Sequence, residues 1–138
     1  MNQKSIRILI VDDVPHVRQG LAAMLRLAAK NIRPTIEVAG EAQNGMEAVQ
    51  VALLLHPDVV LMDLEMPVLD GFEATRQIKA GLPGIRVIIL SMHASLEDQE
   101  LARSAGADGF VAKGGSYKEL VEAILSDQNS DPEGFPNP

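Results

Sequence analysis

The sequence predicts an α/β fold, a five-stranded doubly wound parallel sheet with helices on both faces. Three observations carry this. Short, nearly uninterrupted aliphatic runs recur five times along the chain. A helix-length amphipathic stretch follows each of them, and strict strand–helix alternation is the pattern of a parallel sheet. Four of the five runs also end in a charged or hydroxyl residue, and ligands of such folds sit beyond the carboxyl ends of the strands.

The first run is Ile6 to Val11, Ile-Arg-Ile-Leu-Ile-Val, rich in β-branched residues as a central strand requires. It ends in the acid pair Asp12-Asp13. Pro15 then opens a helix at a position where its missing N–H is harmless, and that helix is expected to reach about Lys30. Val17, Leu21, Met24, Leu25 and Ala28 fall at helical spacing and form its expected core face. A second strand is expected over Thr35 to Ala39. The turn Gly40 to Gly45 leads to a second helix with Ala48, Val49, Ala52 and Leu55 inward, which stops before Pro57.

The third strand, Val59 to Met62, is wholly apolar, the signature of a strand covered on both faces. Asp63 follows it directly, where an unpaired acid is costly. After the loop Pro67 to Gly71 comes a helix from about Gly71 to Ala80, carrying Phe72, Thr75, Ile78 and Lys79. The fourth strand is Ile85 to Leu90, ending at Ser91. Ser95 is placed to cap a fourth helix with an acidic first turn, ending at Gly106. A short fifth strand, Gly109 to Ala112, ends at Lys113, and Gly114 to Ser116 leads to a last helix from Tyr117 to about Leu125.

Composition bounds the function. At 138 residues, 46% hydrophobic, the chain is one domain of ordinary size, expected over residues 1–126. With aromatics at 3%, the core must be aliphatic. Residues 127–138 are Pro-rich and without apolar period, and read as a flexible tail or the start of a linker. The absence of cysteine excludes disulfides and thiolate metal sites. A net charge of −7 argues against nucleic-acid binding by this chain alone. No apolar run approaches the length of a membrane span, and Met1 to Ser5 carries no long apolar signal segment, so a cytoplasmic, membrane-free protein is expected.

Each strand-end residue has an ordinary reading: Asp63 as a turn former, Asp12-Asp13 as helix caps, Ser91 as a strand-end hydroxyl, Lys113 as a solvated lysine. Their coincidence at one sheet edge is what argues for chemistry. Clustered carboxylates repel. A hard cation such as Mg2+, which favours a few carboxylates plus water and phosphate oxygens, removes that conflict. Lys113 and Ser91 add a compact charge and a hydroxyl donor suited to a phosphoryl group, and an Asp supplies a carboxylate nucleophile.

Asp12-Asp13, Asp63 within Leu-Met-Asp-Leu-Glu-Met-Pro, Asp70-Gly71, Ser91 and Lys113 together resemble the response-regulator receiver domain of two-component signalling, over residues 5 to about 126. The resemblance implies the flavodoxin-like (βα)5 receiver fold. It makes Asp63 the acceptor of a phosphoryl group from a sensor histidine kinase or phosphotransfer protein. Asp13 becomes the main Mg2+ ligand, Asp12 the holder of metal-bound water, and the backbone carbonyl of Glu65 a further ligand beside Asp63. Lys113 would pair with Asp63 and then with the phosphoryl oxygen. Ser91 would move to the phosphoryl group, and Phe110, three residues before Lys113, matches the aromatic switch that turns inward in response. Apart from self-phosphorylation and self-dephosphorylation the chain would not be an enzyme. Homodimerisation on phosphorylation is a further option that the resemblance leaves open.

Three positions depart from, or vary within, that pattern. Gly114 stands where many receivers have proline, so the cis peptide seen there in the family is not assumed. Glu65 and His93 occupy positions that tune phosphoryl lifetime, with His93 expected as a solvent-facing loop residue. The stretch Gly106 to Gly114 and Ser91-Met92-His93 look most like receivers joined to a helix-turn-helix DNA-binding domain, which is absent from these residues. A stand-alone regulator and a non-phosphorylated pseudo-receiver remain alternatives. A haloacid-dehalogenase-type phosphohydrolase would want Asp where Glu65 stands, and a flavin protein would want a phosphate-cradling loop in place of Val11 to Pro15.

Overall fold

The computed structural model describes residues 5–31, 34–66, 68–93, 95–114 and 117–126. The expected tail, 127–138, lies outside them, as do Pro67, Ala94, Gly115 and Ser116. The elements alternate as β1 (Ile6–Val11), α1 (Pro15–Ala28), β2 (Ile36–Ala42), α2 (Gly45–Leu55), β3 (Val59–Asp63), α3 (Gly71–Gly81), β4 (Arg86–Ser91), α4 (Leu96–Ala105), β5 (Gly109–Ala112) and α5 (Tyr117–Leu125). All strand pairs are parallel, in the order β2-β1-β3-β4-β5.

Alternation within each strand divides the core into two layers. Ile8, Ile10, Val59, Leu61, Ile88 and Leu90 pack with Ala22, Leu25, Leu120, Val121 and Ile124, so α1 and α5 cover one face. Leu9, Val11, Val60, Met62, Val87 and Ile89 pack with Ala48, Ala52, Ala74, Ile78 and Ala102, so α2, α3 and α4 cover the other. The side switches between β1 and β3. There the crossovers diverge and leave a crevice at the strand C-termini, the ligand position of a doubly wound sheet.

The elements differ from expectation at some boundaries and on one face. β2 runs to Ala42 instead of Ala39, because Glu41 and Ala42 continue the pairing with Ile10 and Val11 beyond a register shift at Ile8/Leu9. α1 ends at Ala28 and tightens into a 3-10 turn over Ala29–Asn31, where a helix to Lys30 was expected. Of its expected core face, Leu25 is buried and Leu21 and Ala28 pack half-buried against the same layer, but Val17 is 40% exposed; Ala22 and Ala29 are buried in addition.

Two glycines hold the loop after β3 against its neighbours. A Cβ at Gly45 would overlap the backbone of Leu69, and one at Gly71 would overlap the Asp63 carbonyl. Val68 in this loop has φ +73°, a left-handed conformation that a β-branched residue rarely adopts.

Candidate functional site

The strand ends deliver their polar residues to one point. Asp12 follows β1, with its backbone N–H bonded to the Ala42 carbonyl at 3.1 Å. Its Oδ1 accepts the Val14 N–H at 2.9 Å. This offsets the lack of a side-chain cap at Val14, the residue preceding α1. Asp63 is the last residue of β3 and, like Asp12, is buried. The Glu65 N–H reaches toward Asp63 Oδ1 at 3.4 Å. Lys113 follows β5 and is fixed through its backbone N–H to the Ser91 carbonyl at 2.7 Å.

The Lys113 ammonium bridges two acids, with Nζ 2.8 Å from Asp12 Oδ2 and 3.1 Å from Asp63 Oδ1. The pairing with Asp63 is the expected one. The contact with Asp12 went unforeseen, because it joins residues 101 apart in sequence and depends on the strand order. Carboxylate oxygens of Asp12, Asp13 and Asp63 all lie within 4.8 Å of one another. Burial pushes the Asp63 carboxyl above the usual carboxylate range, against the opposing hydrogen bond and charge of Lys113, with Asp12 adding to the rise. Burial works to lower the Lys113 ammonium, but its bonds to Asp12 and Asp63 outweigh that, and the net shift is upward.

One ammonium therefore faces three carboxylates, an excess of negative charge in a partly buried crevice. The donor set is all hard oxygen, and it fits a small hard cation.

Ser91 is buried at the end of β4 and turned to its own loop. Its hydroxyl donates to the His93 carbonyl at 2.9 Å and is placed to accept the His93 N–H at 3.1 Å. The His93 side chain is exposed, as are Glu65, His16 and His56. Phe110 is 3% exposed, packed in the core layer under α3 and α4. An aromatic that turns inward on activation was expected; here the ring is already inside.

A residue that sequence reasoning missed stands behind the acid pair. Arg18, in the second turn of α1, donates Nη1 to the Asp12 carbonyl at 2.6 Å and Nε to Glu41 of β2 at 2.9 Å. The available signal was an arginine one turn into a helix that follows an acid pair. Alongside, an apolar groove of ≈ 380 Å³ between α1 and α5 opens at Lys113, lined by Val17, Leu21, Met24, Tyr117 and Leu120.

Comparison with known proteins gives the family to which this fold belongs. Residues 8–125 match the family model for the response regulator receiver domain. The response regulator protein VraR of Staphylococcus aureus is 41% identical over 122 residues, 87% of this chain and 55% of the relative. The VraR of Staphylococcus saprophyticus is 38% identical over 128 residues, 91% of this chain and 58% of the relative. The chain thus spans little more than half the length of these relatives. Among solved structures, a LuxR-family response regulator from Aurantimonas superposes with a TM-score of 0.79 at 37% identity, covering 88% of this chain and 83% of that one. The receiver domain of a NarL response regulator from Mycobacterium tuberculosis gives a TM-score of 0.82 at 29% identity, covering 93% and 99%. With the matched model spanning nearly all of the described residues, the chain belongs to the response regulator receiver domain family.

Proposed function

We propose that Asp63 accepts a phosphoryl group from a sensor histidine kinase or phosphotransfer protein, and that the modified domain governs a DNA-binding output like that of its LuxR-family relatives. The observation that carries this is the Lys113 ammonium held between Asp12 and Asp63, with Asp13 beside them, at the switch point of the sheet. In the reaction a carboxylate oxygen of Asp63 forms a bond to phosphorus while the bond to the donor's leaving group breaks. Asp13, Asp12, Asp63 and the Glu65 carbonyl are the groups that would hold Mg2+, which supplies charge neutralisation for the carboxylates and the incoming oxygens. Lys113 keeps the Asp63 oxygen oriented before transfer and pairs with a phosphoryl oxygen after it. Burial of Asp63 limits water at the same point.

The new charge draws on Ser91, whose hydroxyl must leave His93 to bond the phosphoryl group. The β4–α4 loop then rearranges, and the α4–β5–α5 face changes with it. This face, or a second copy of the chain, transmits the change. Such a protein works in the cytoplasm; among the described residues no helix is long and apolar enough to cross a membrane.

The test is incubation with Mg2+ and acetyl phosphate, followed by intact mass measurement. A single phosphoryl adduct, absent from Asp63→Asn and without Mg2+, is the expected result. A folded protein that takes no adduct and binds no beryllofluoride would instead be a pseudo-receiver.

A further inference from the structure

We infer that Arg18 and Glu41 form a charge-neutral clamp that positions the Asp12–Asp13 peptide for cation binding. This rests on the proposed Mg2+ site and adds two residues to it that touch no metal.

The carbonyl oxygen that Arg18 grips belongs to the peptide plane joining Asp12 to Asp13. Holding that oxygen at 2.6 Å restrains the plane and with it the position of the Asp13 Cα from which the side chain leaves the backbone. Asp12 and Asp63 have side-chain anchors of their own in Val14 N–H and Lys113. Among the described residues the Asp13 carboxylate has none. Its placement therefore depends on its backbone, which Arg18 holds at the Asp12–Asp13 peptide and the Asp12 carboxylate holds one residue further on, at the Val14 N–H.

Glu41 has two effects here. It anchors the guanidinium from β2, with the Arg18 side chain only 13% exposed. It also cancels the guanidinium charge at 2.9 Å. An uncancelled arginine next to an acidic crevice would repel the cation that the crevice is shaped to hold. The pair supplies rigidity without that repulsion, in the way that partners of metal-ligating groups orient them.

The two effects of Arg18 have opposite signs, which makes the inference testable. If its charge dominated, Arg18→Gln would tighten Mg2+ binding; if positioning dominates, binding weakens. The decisive variant is Arg18→Gln/Glu41→Gln, which leaves the net charge unchanged and removes the clamp. Mg2+ affinity would be measured by titration calorimetry, with melting in EDTA as the measure of fold stability. We expect the double variant to bind Mg2+ roughly tenfold more weakly, and Glu41→Gln alone to weaken binding as well, since it leaves the cation uncancelled. A control, Arg76→Gln at the exposed Arg76–Glu73 pair, should retain wild-type affinity. Equal or tighter binding by the double variant overturns the inference. A loss of melting temperature with unchanged affinity does the same. If the double variant does not fold, Glu41→Gln decides: unchanged or tighter binding overturns the clamp. Wild-type protein that binds no Mg2+ would instead sink the underlying site, a result distinct from any of these.

Discussion

Gly71 lies against the main-chain carbonyl of Asp63, with no room for a side chain between them. Asp70 caps α3 by accepting the Glu73 N–H at 2.9 Å, and the Gly71 N–H reaches the Leu64 carbonyl at 3.3 Å. The start of α3 is thus seated directly on the end of β3. Gly71→Ala should cost about 2 kcal/mol, since the obstructing atoms are backbone and cannot rotate away. It should also slow phosphorylation from acetyl phosphate by moving Asp63. Urea unfolding and adduct formation followed by mass would check both; wild-type values for each would show that the close approach is dispensable.

Burial raises the Asp63 pKa, so an ionised Asp63 is less favourable in the fold than in the unfolded chain. The penalty is absent below the ordinary aspartate pKa, grows between that value and the raised one, and is full above it. Asp63→Asn should therefore stabilise the metal-free domain at neutral pH, with the gain vanishing near pH 4. Lys113 opposes the rise, so Lys113→Met should destabilise at neutral pH and lose most of that effect on acidification. Denaturant melts at pH 4 and pH 7 measure both slopes, and a pH-independent gain for Asp63→Asn would contradict the assignment.

Val68 sits at φ +73° and is 75% exposed. A left-handed β-branched residue costs roughly 1–2 kcal/mol. Glycine in its place costs about 0.5–1 kcal/mol in chain entropy, and little packing is lost at an exposed site. The difference favours Val68→Gly by up to about 1.5 kcal/mol, with Val68→Asn intermediate because asparagine tolerates this region. A glycine variant less stable than wild type in urea would show that the side chain holds the loop.

The parallel strands were legible because burial on both faces writes them as continuous apolar runs: Val59 to Met62 are all fully buried. The caps were legible where residue type and position agree, as at Ser95, which accepts the Asp98 N–H, and at Gly106 with φ +99°. The inward face of α1 was legible in part: Leu25 is buried, and Leu21 and Ala28 pack against the same layer. Ala22 and Ala29 are buried, yet alanine carries little hydrophobic signal, whereas Val17 looks like core and lies in a groove wall. The end of β2 was hidden because a strand at the sheet edge, paired on one side only, needs no apolar run, and Gly40-Glu41-Ala42 has none. At the site, residue identities pointed to one crevice, but the Lys113–Asp12 and Arg18–Glu41 pairings follow from strand order and helix placement that single-residue patterns do not encode.

Ser91 and Phe110, on the paired strands β4 and β5, differ in the movement open to each. Switching that turns an aromatic ring inward needs an outward start, and Phe110 begins buried among residues such as Met62, Ala74 and Ala102. Ser91 has the larger change available, since both of its loop bonds to His93 must break before it reaches Asp63. Beryllofluoride with Mg2+ should accordingly shift the backbone amides of Ser91 to His93 strongly and the Phe110 ring resonances weakly. Ser91→Ala should still accept a phosphoryl group at Asp63 but show a smaller loop response. Phe110→Leu keeps most of the buried volume, avoids the 3–5 kcal/mol expected of Phe110→Ala, and should leave the Ser91 response intact. A Phe110 ring shift as large as that of the loop amides, lost together with them in Ser91→Ala, would restore a coupled Ser–Phe switch.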